Sequence, residues 1–265
     1  MSRWLGVALL GLIAAAALLS FVWTPYDPTA IDIAARLRPN SFAHPLGTDQ
    51  LGRDLLSMLI AGARPPLGVA LLALAIGLAG GVPLGLVAAA RPGWRDEAIM
   101  RAADILFAFP ALVLAMLVIA VMGPGAAHAA LAIGLFNIPV FARVTRASAR
   151  AIWPRDFILA ARLAGRSDTA ISVDHILPNV AGPLITQATI QLSLAVLAEA
   201  GLSFLGLGAQ PPGASWGRMV AEAQTLIGVA PRLVLIPGLA IVATVLAINL
   251  AGEKLREWLA PETRL

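Results

Sequence analysis

The stretch FILAARLAGRSDTAISVDHILPN, residues 157–179, is a charged island between two long apolar stretches. Gly165 stands ten residues ahead of His175, and a Leu177-Pro178 pair follows the histidine. Pro154 suits the start of a helix, where its missing N–H costs nothing, and Gly165 suits the end of one, where a left-handed residue turns the chain. Phe157, Ala161 and Ala164 fall on one face of that helix, and Arg155, Leu159, Arg162 and Arg166 on another. Ser167 or Asp168 can cap a second short helix running through His175, which Pro178 closes. Small alanines let another protein's surface approach the first helix closely, while the arginines offer donors to carboxylates or backbone carbonyls. Such a pair of helices suits rigid mechanical contact.

The surroundings of this island belong to a membrane protein. Of 265 residues, 59% are apolar and 13% charged, about half the charge of a soluble domain. Windows without charge run over residues 4–23, 66–90, 105–122, 124–142, 179–198 and 233–252. Each is about long enough to cross roughly 30 Å of hydrocarbon at about 1.5 Å per helical residue. Period-two alternation is absent, which argues against a membrane barrel. The expectation is an all-α, polytopic protein with six transmembrane helices, because lipid leaves the backbone no other closed arrangement.

With the N-terminus placed in the cytoplasm, thirteen of the nineteen Lys and Arg residues fall inside, six of them between Arg143 and Arg166. That bias predicts both termini inside. It also accounts for the net charge of +4 without nucleic acid. Tethering between spans and the acids Asp156, Asp168 and Asp174 argue further against DNA binding by the 157–179 island. The first span exceeds a signal-peptide core of about 7 to 15 residues and is bracketed by Trp4 and Trp23, as by interfacial anchors. The expected organisation is a first span with an external segment over residues 1–64, a five-helix core over 65–252 that includes the loop 154–178, and a cytoplasmic tail over 253–265. Without cysteine there is no disulfide or thiolate metal site, and His175 has no companion ligand at suitable spacing.

Three further places carry polar chemistry. HPLGTDQLGRDLLSMLIAGAR, residues 44–64, reads as an amphipathic helix at the membrane surface, capped by Asp49, with Leu51, Leu55 and Leu59 on one face. Asp104 stands at the lip of an apolar span, where a carboxylate costs a few kcal/mol unless paired or hydrated, so a basic partner or a cytoplasmic cavity is expected. Glu199 closes the fifth span and opens EAGLSFLGLG, residues 199–208, followed by Gln210-Pro211-Pro212 and Ser215-Trp216-Gly217. Glycine and proline support broken backbone in a membrane protein only where it is buried or lines a cavity. Asp104, Asn137, Glu199, Ser203 and Trp216 are therefore the candidates for a pathway or external gate.

The island, with Ala160-Ala161, Gly165, Ser167-Asp168 and HILPN at their spacing, resembles the cytoplasmic "EAA" loop of ABC importer permeases. The strings at 46–64, Met100-Arg101 to Phe109-Pro110, EAGLSFLGLG and QPP..SWG are similar to those of the dipeptide, oligopeptide and nickel permeases, and the likeness runs from about Ala43 to the C-terminus. It implies a type I ABC importer permease fold in a bacterial inner membrane, importing peptides, nickel or a related small solute. It implies as partners a second related permease, two cytoplasmic ATPase subunits and an external solute-binding protein. The coupling loop then comprises Phe157, Leu159, Ala160, Ala161, Arg162, Gly165, Ser167, Asp168, His175 and Pro178. No G-x-x-x-x-G-K-[ST] loop is present and the sole lysine is Lys254, so ATP and Mg are expected on the ATPases, with no cofactor, metal or catalytic group on this chain.

One departure stands out, since the glutamate that names the motif is replaced by Leu159. The expectation is an ATPase with a more apolar contact at the matching position. The rival reading is a channel or secondary transporter driven by an ion gradient. It would be favoured by mid-span acids and histidines, whereas Asp104, His128 and Glu199 lie near span ends.

Overall fold

Long runs without charge need every backbone N–H and C=O satisfied within the chain, and the computed structural model, which describes residues 2–259, meets that need with helices. They are α1 Ser2–Leu19, α2 Leu55–Ala61, α3 Arg64–Ala90, α4 Trp94–Phe107, α5 Ala111–Met122 and α6 Ala126–Ile152. There follow α7 Asp156–Leu163, α8 Asp168–Ile171, α9 Leu177–Asn179, α10 Ala181–Phe204, α11 Trp216–Ala223 and α12 Arg232–Leu259. Residues 260–265 of the expected tail lie outside the described residues.

Among the described residues, four stretches are long and apolar enough to cross a membrane, namely Leu55–Ala90, Ala126–Ile152, Ala181–Phe204 and Arg232–Trp258. The expected first span appears as the shorter apolar helix α1. The expected span over 105–122 is corrected, because α4 and α5 meet at an 86° bend. Pro110 causes the break: it has no N–H to give a helix, it keeps the preceding residue out of the helical region, and its own ψ is 134°. The helix before the bend starts earlier than expected, with Asp96 and Glu97 in its first turn, where acids suit the helix dipole.

The 44–64 reading is corrected as well. Asp49 does not cap a helix; its Oδ1 accepts the N–H groups of Leu51 and Arg53 at 2.8 Å each, and Gly52 turns the chain at φ +76°. This local side-chain turn satisfies the donors before a helix can begin. Asp54 caps instead, accepting from the Ser57 N–H at 2.8 Å, and α2 starts at Leu55. Leu51 is thus outside the helix, and α2 buries Leu55 and Met58 against Trp216, Met219 and Leu233 rather than lying on a membrane surface.

The tightest helix pair is α3 with α6. Gly77, Gly81 and Gly85 recur every four residues along α3, and a Cβ at Gly77 or Gly85 would stand 2.5 Å from the Asn137 Cβ or the Ala142 carbonyl oxygen. Small residues at this spacing let two helix backbones approach closely inside a membrane, where packing replaces the hydrophobic effect. Asn137 lies in this seam, buried, with its Nδ2 directed at the Ala73 carbonyl at 3.4 Å.

The helices also sort into two ends. Trp4, Ile185, Lys254 and Trp258 line one cleft, with the Lys254 ammonium 5.2 Å from the Trp4 ring centroid. The starts of α1 and α10 therefore share an end with the finish of α12. At the other end of α10, Ser215 at the head of α11 bonds to Glu199.

Candidate coupling and gate sites

The island at 157–179 folds as an elbow. Arg155, not Pro154, stands at the N-cap of α7, so the proline precedes the helix by two residues. Gly165 adopts φ +80°, its N–H reaches the Arg162 carbonyl at 2.9 Å, and the Arg166 N–H reaches the Ala161 carbonyl at 3.2 Å. These paired bonds close a helix whose following residue is left-handed, the conformation glycine adopts without steric cost. Of the two possible caps for the second helix it is Ser167 that accepts, from the Ala170 N–H at 3.2 Å. Asp168 is left to receive Arg91 at 3.3 Å and Arg162 at 3.4 Å, which ties the elbow to the end of α3.

Pro178 does not close the second helix. A π-helical turn over Ser172–Ile176 leads into α9, where Pro178 occupies a first-turn position that needs no N–H. The chain then enters α10 after one residue, Val180. The two arms of the elbow are braced by Phe157 edge-on to His175, with ring centroids 6.4 Å apart, and by Arg166 paired to Asp174 at 2.6 Å. Arg162 lies 4.9 Å over the Trp153 ring at the end of α6.

The inward face of α7 is not either of the two faces read from the sequence. Ile158 is fully buried and, with Ala161, joins Ile171, Ile176, Val180 and Trp153 in one cluster. Phe157 and Ala164 flank this seam on one side and Arg162 on the other, all exposed. The two motif alanines thus differ, since Ala161 packs inward while Ala160 is exposed beside Leu159.

Asp104 has the expected basic partner, Arg143, whose guanidinium also lies 4.2 Å over the Phe107 ring. A stronger clamp, missed in the sequence, lies about two turns earlier on the same helix. Asp96 is buried and receives both Arg146 and Arg150, fastening the start of α4 to the end of α6. The spacing of Arg146 and Arg150, four apart on one helix face, was the available signal.

At the opposite end of α10, Glu199 is fully buried, and its Oε1 accepts from Ser203 at 2.6 Å and Ser215 at 3.2 Å. The Ser203 hydroxyl also accepts the Ala209 N–H at 3.1 Å, so the 205–215 loop is folded back over the carboxylate. Trp216 is buried, and its Nε1 donates to the Leu59 carbonyl at 2.8 Å. Glu199, Ser203 and Trp216 are therefore brought together as one closed assembly, to which the structure adds Ser215. Asp104 belongs to the other end of the molecule, and Asn137 to the α3–α6 seam.

Residues 81–265 match the family described as binding-protein-dependent transport system inner membrane component. The glutathione transport system permease protein GsiD of Pectobacterium atrosepticum is 40% identical over 241 residues, covering 91% of this chain and 80% of that protein. The di/tripeptide transport system permease protein DppC of Pseudomonas aeruginosa is 43% identical over 246 residues, covering 91% and 81%. Among solved structures, an inward-facing form of the MetNI methionine ABC transporter superposes with a TM-score of 0.64 at 20% identity, covering 77% of this chain and 96% of that one, a likeness of fold. An all-helical chain of long apolar helices, a braced elbow at 157–179 and these relatives lead to one conclusion: the chain belongs to the binding-protein-dependent transport system inner membrane components, the permease subunits of ABC importers in the bacterial inner membrane.

Proposed function

We propose that the chain forms half of the translocation pathway of a short-peptide importer, with a related permease as the other half, two cytoplasmic ATPase subunits and an external binding protein. The names of the relatives, permeases for glutathione and for di/tripeptides, favour a peptide over nickel as the solute. ATP and Mg belong to the ATPases. Six membrane passes with both termini in the cytoplasm fit the meeting of α1, α12 and α10 at one end, if α1 and the bent α4–α5 pair each count as a pass. The same reading divides the chain into residues 1–64, the core 65–252 and the tail from 253.

The elbow at 154–178 is the coupling loop, and the observation that carries this reading is its rigid build outside the spans. The Gly165 turn, the Phe157–His175 brace and the Asp168 pairs make α7 and α8 move as one body. Through Arg91 and Trp153 that body grips the ends of α3 and α6, the most closely packed helix pair. Closure of the ATPases on ATP pulls the elbow, the α3–α6 pair tilts, and the closed assembly at Glu199 opens or shuts at the far end of α10. ATP binding shifts this equilibrium only through contacts that differ between the two states.

The test is reconstitution of the purified complex in vesicles with the binding protein. Uptake of a labelled dipeptide, competed by unlabelled dipeptide, glutathione or a nickel chelate, identifies the solute. Uptake that depends on ATP and vanishes when the ATPases are stripped is the expected result; uptake that persists without them refutes it.

A further inference from the structure

α10 and α12 touch where Gly252 meets Thr189, for a Cβ on that glycine would stand 2.2 Å from the threonine side chain. A cleft opens on each side of this seam. Both clefts reach Thr189 and Gly252, but one continues along Ile185 and Ile248 and the other along Thr186 and Asn249, one residue on and so about 100° round each helix. The first, about 640 Å3, is walled mainly by apolar side chains, Trp4, Leu192 and Trp258 among them. The second, about 310 Å3, has Thr186, Thr189, Asn249, Glu253, Arg256 and Glu257 in its wall. Its volume is at the lower end of small-molecule sites, about 300 to 1,000 Å3. A helix pair that is apolar on one side and carries acids, a base and an amide on the other turns the first to lipid and the second to a watery passage.

The polar cleft is a set of acceptors. The Thr186 hydroxyl donates to the Gly182 carbonyl at 3.1 Å and the Thr189 hydroxyl to the Ile185 carbonyl at 2.9 Å. Asn249 Nδ2 donates to Ser193 Oγ at 3.0 Å and to the Val245 carbonyl at 2.8 Å, and since a carbonyl only accepts, the amide orientation is fixed. With these protons committed, the three side chains present lone pairs to the cleft, beside the Glu253 and Glu257 carboxylates. Arg256 is the cation in the same wall.

We propose that this cleft is a subsite at the inner mouth of the pathway, which takes the α-ammonium of a short peptide on Glu253, Glu257 and the Asn249 oxygen and its carboxylate on Arg256. The inference rests on the reading of the chain as a short-peptide permease and adds the chemistry by which the solute is held before release. About 4.5 Å of helix rise separates Glu253 from Arg256, and an extended dipeptide reaches about 7 Å, so one molecule spans both charges. Thr186 and Thr189 accept from its amide N–H. The acids and Arg256 are exposed, so the hold is weak enough for the peptide to leave.

The test uses the complete membrane complex, permease pair and ATPases, without nucleotide or binding protein, in nanodiscs of phosphatidylcholine and phosphatidylglycerol. The probes are 4-fluorophenylalanyl-alanine and its N-acetyl form, titrated by fluorine line broadening. Wild type is compared with Arg256→Gln and with a variant carrying Glu253→Gln and Glu257→Gln together, whose elution volume and yield are checked. The expected result is at least about fivefold preference of wild type for the free amine, in the range of a charge-assisted hydrogen bond. The acid variant loses that preference while its affinity for the acetylated peptide stays as in wild type. Arg256→Gln weakens both peptides alike, because both keep the carboxylate.

Equal binding of the two peptides by wild type, no binding of either, or a preference that survives the acid variant overturns the subsite. So does loss of both peptides in the acid variant, which would mark a structural role for the acids. Binding that disappears when phosphatidylethanolamine is added to the disc assigns the cleft to that headgroup's ammonium, and the peptide subsite falls. In each of these cases ATP-dependent dipeptide uptake by wild-type vesicles leaves the importer reading standing, whereas failure to take up any dipeptide overturns the reading beneath the inference.

Discussion

The two ends of α10 both use arginine–carboxylate pairs, and they use them to opposite effect. α10 has 24 residues, so about 36 Å of helix separates these ends. At the Glu199 end, Arg53 is buried between Asp49 at 2.6 Å and Glu222 at 2.6 Å, and Arg218 adds a second cation on Glu222 at 2.7 Å. Burial by itself would lower the Arg53 pKa, but the Glu222 and Asp49 carboxylates outweigh it and hold the guanidinium above its ordinary value. At the elbow, Arg91, Arg162 and Arg166 reach Asp168 and Asp174 from exposed positions. A buried network costs desolvation once and then fixes a single geometry, whereas exposed pairs orient the groups they join while adding little stability. One end is held by a buried network, and the other by pairs that water reaches.

Removing Arg53 breaks the comparison at its strongest point. Arg53→Met leaves Asp49 buried beside no cation, and a stability loss of about 3 kcal/mol is expected in thermal or denaturant unfolding of the detergent-solubilised protein. A loss below about 1 kcal/mol would transfer the credit for this end to the packing of Trp216 on α2. Asp96 tests the middle ground, because the acid is buried but its two arginines are partly exposed. Asp96→Asn should cost about 1–2 kcal/mol, with hydrogen exchange rising first along α4 as it loosens from α6. Asp168 should matter least for stability, with Asp168→Asn changing it by no more than about 0.5 kcal/mol and the difference fading in high salt. If Asp168→Asn proved as costly as Arg53→Met, the elbow would be a second locked network and not a set of weak surface pairs.

Much of this architecture was legible in advance. Charge-free windows announced the long helices, and Gly165 with Ser167 or Asp168 announced the turn and cap of the elbow, because left-handed backbone and orphan N–H groups select those residue types. The basic partner of Asp104 was legible as a need, though not as Arg143. Other features were not. Asp49 and Asp54 are equally good caps on paper, and only the competing turn through Leu51 and Arg53 decided between them. Pro110 is of the residue type that breaks a helix, but its depth inside an apolar window hid it behind composition. Asn137 looks like a pathway residue in sequence and lies in a helix seam, where Gly77, Gly81 and Gly85, four residues apart, allow the close approach.

By itself the sequence determined the helical, membrane-embedded class and the existence of a polar elbow between two spans. Lipid accepts only closed backbone, and a charged, glycine-hinged segment cannot stay inside it. Only the tertiary structure decided which side of the elbow faces out. Adjacent residues on a helix differ by about 100° around its axis, and α7 carries small or apolar residues at almost every position. Burial of Ile158 and Ala161 under Ile171 and Ile176 broke that tie, and in doing so turned Leu159 and Leu163 outward.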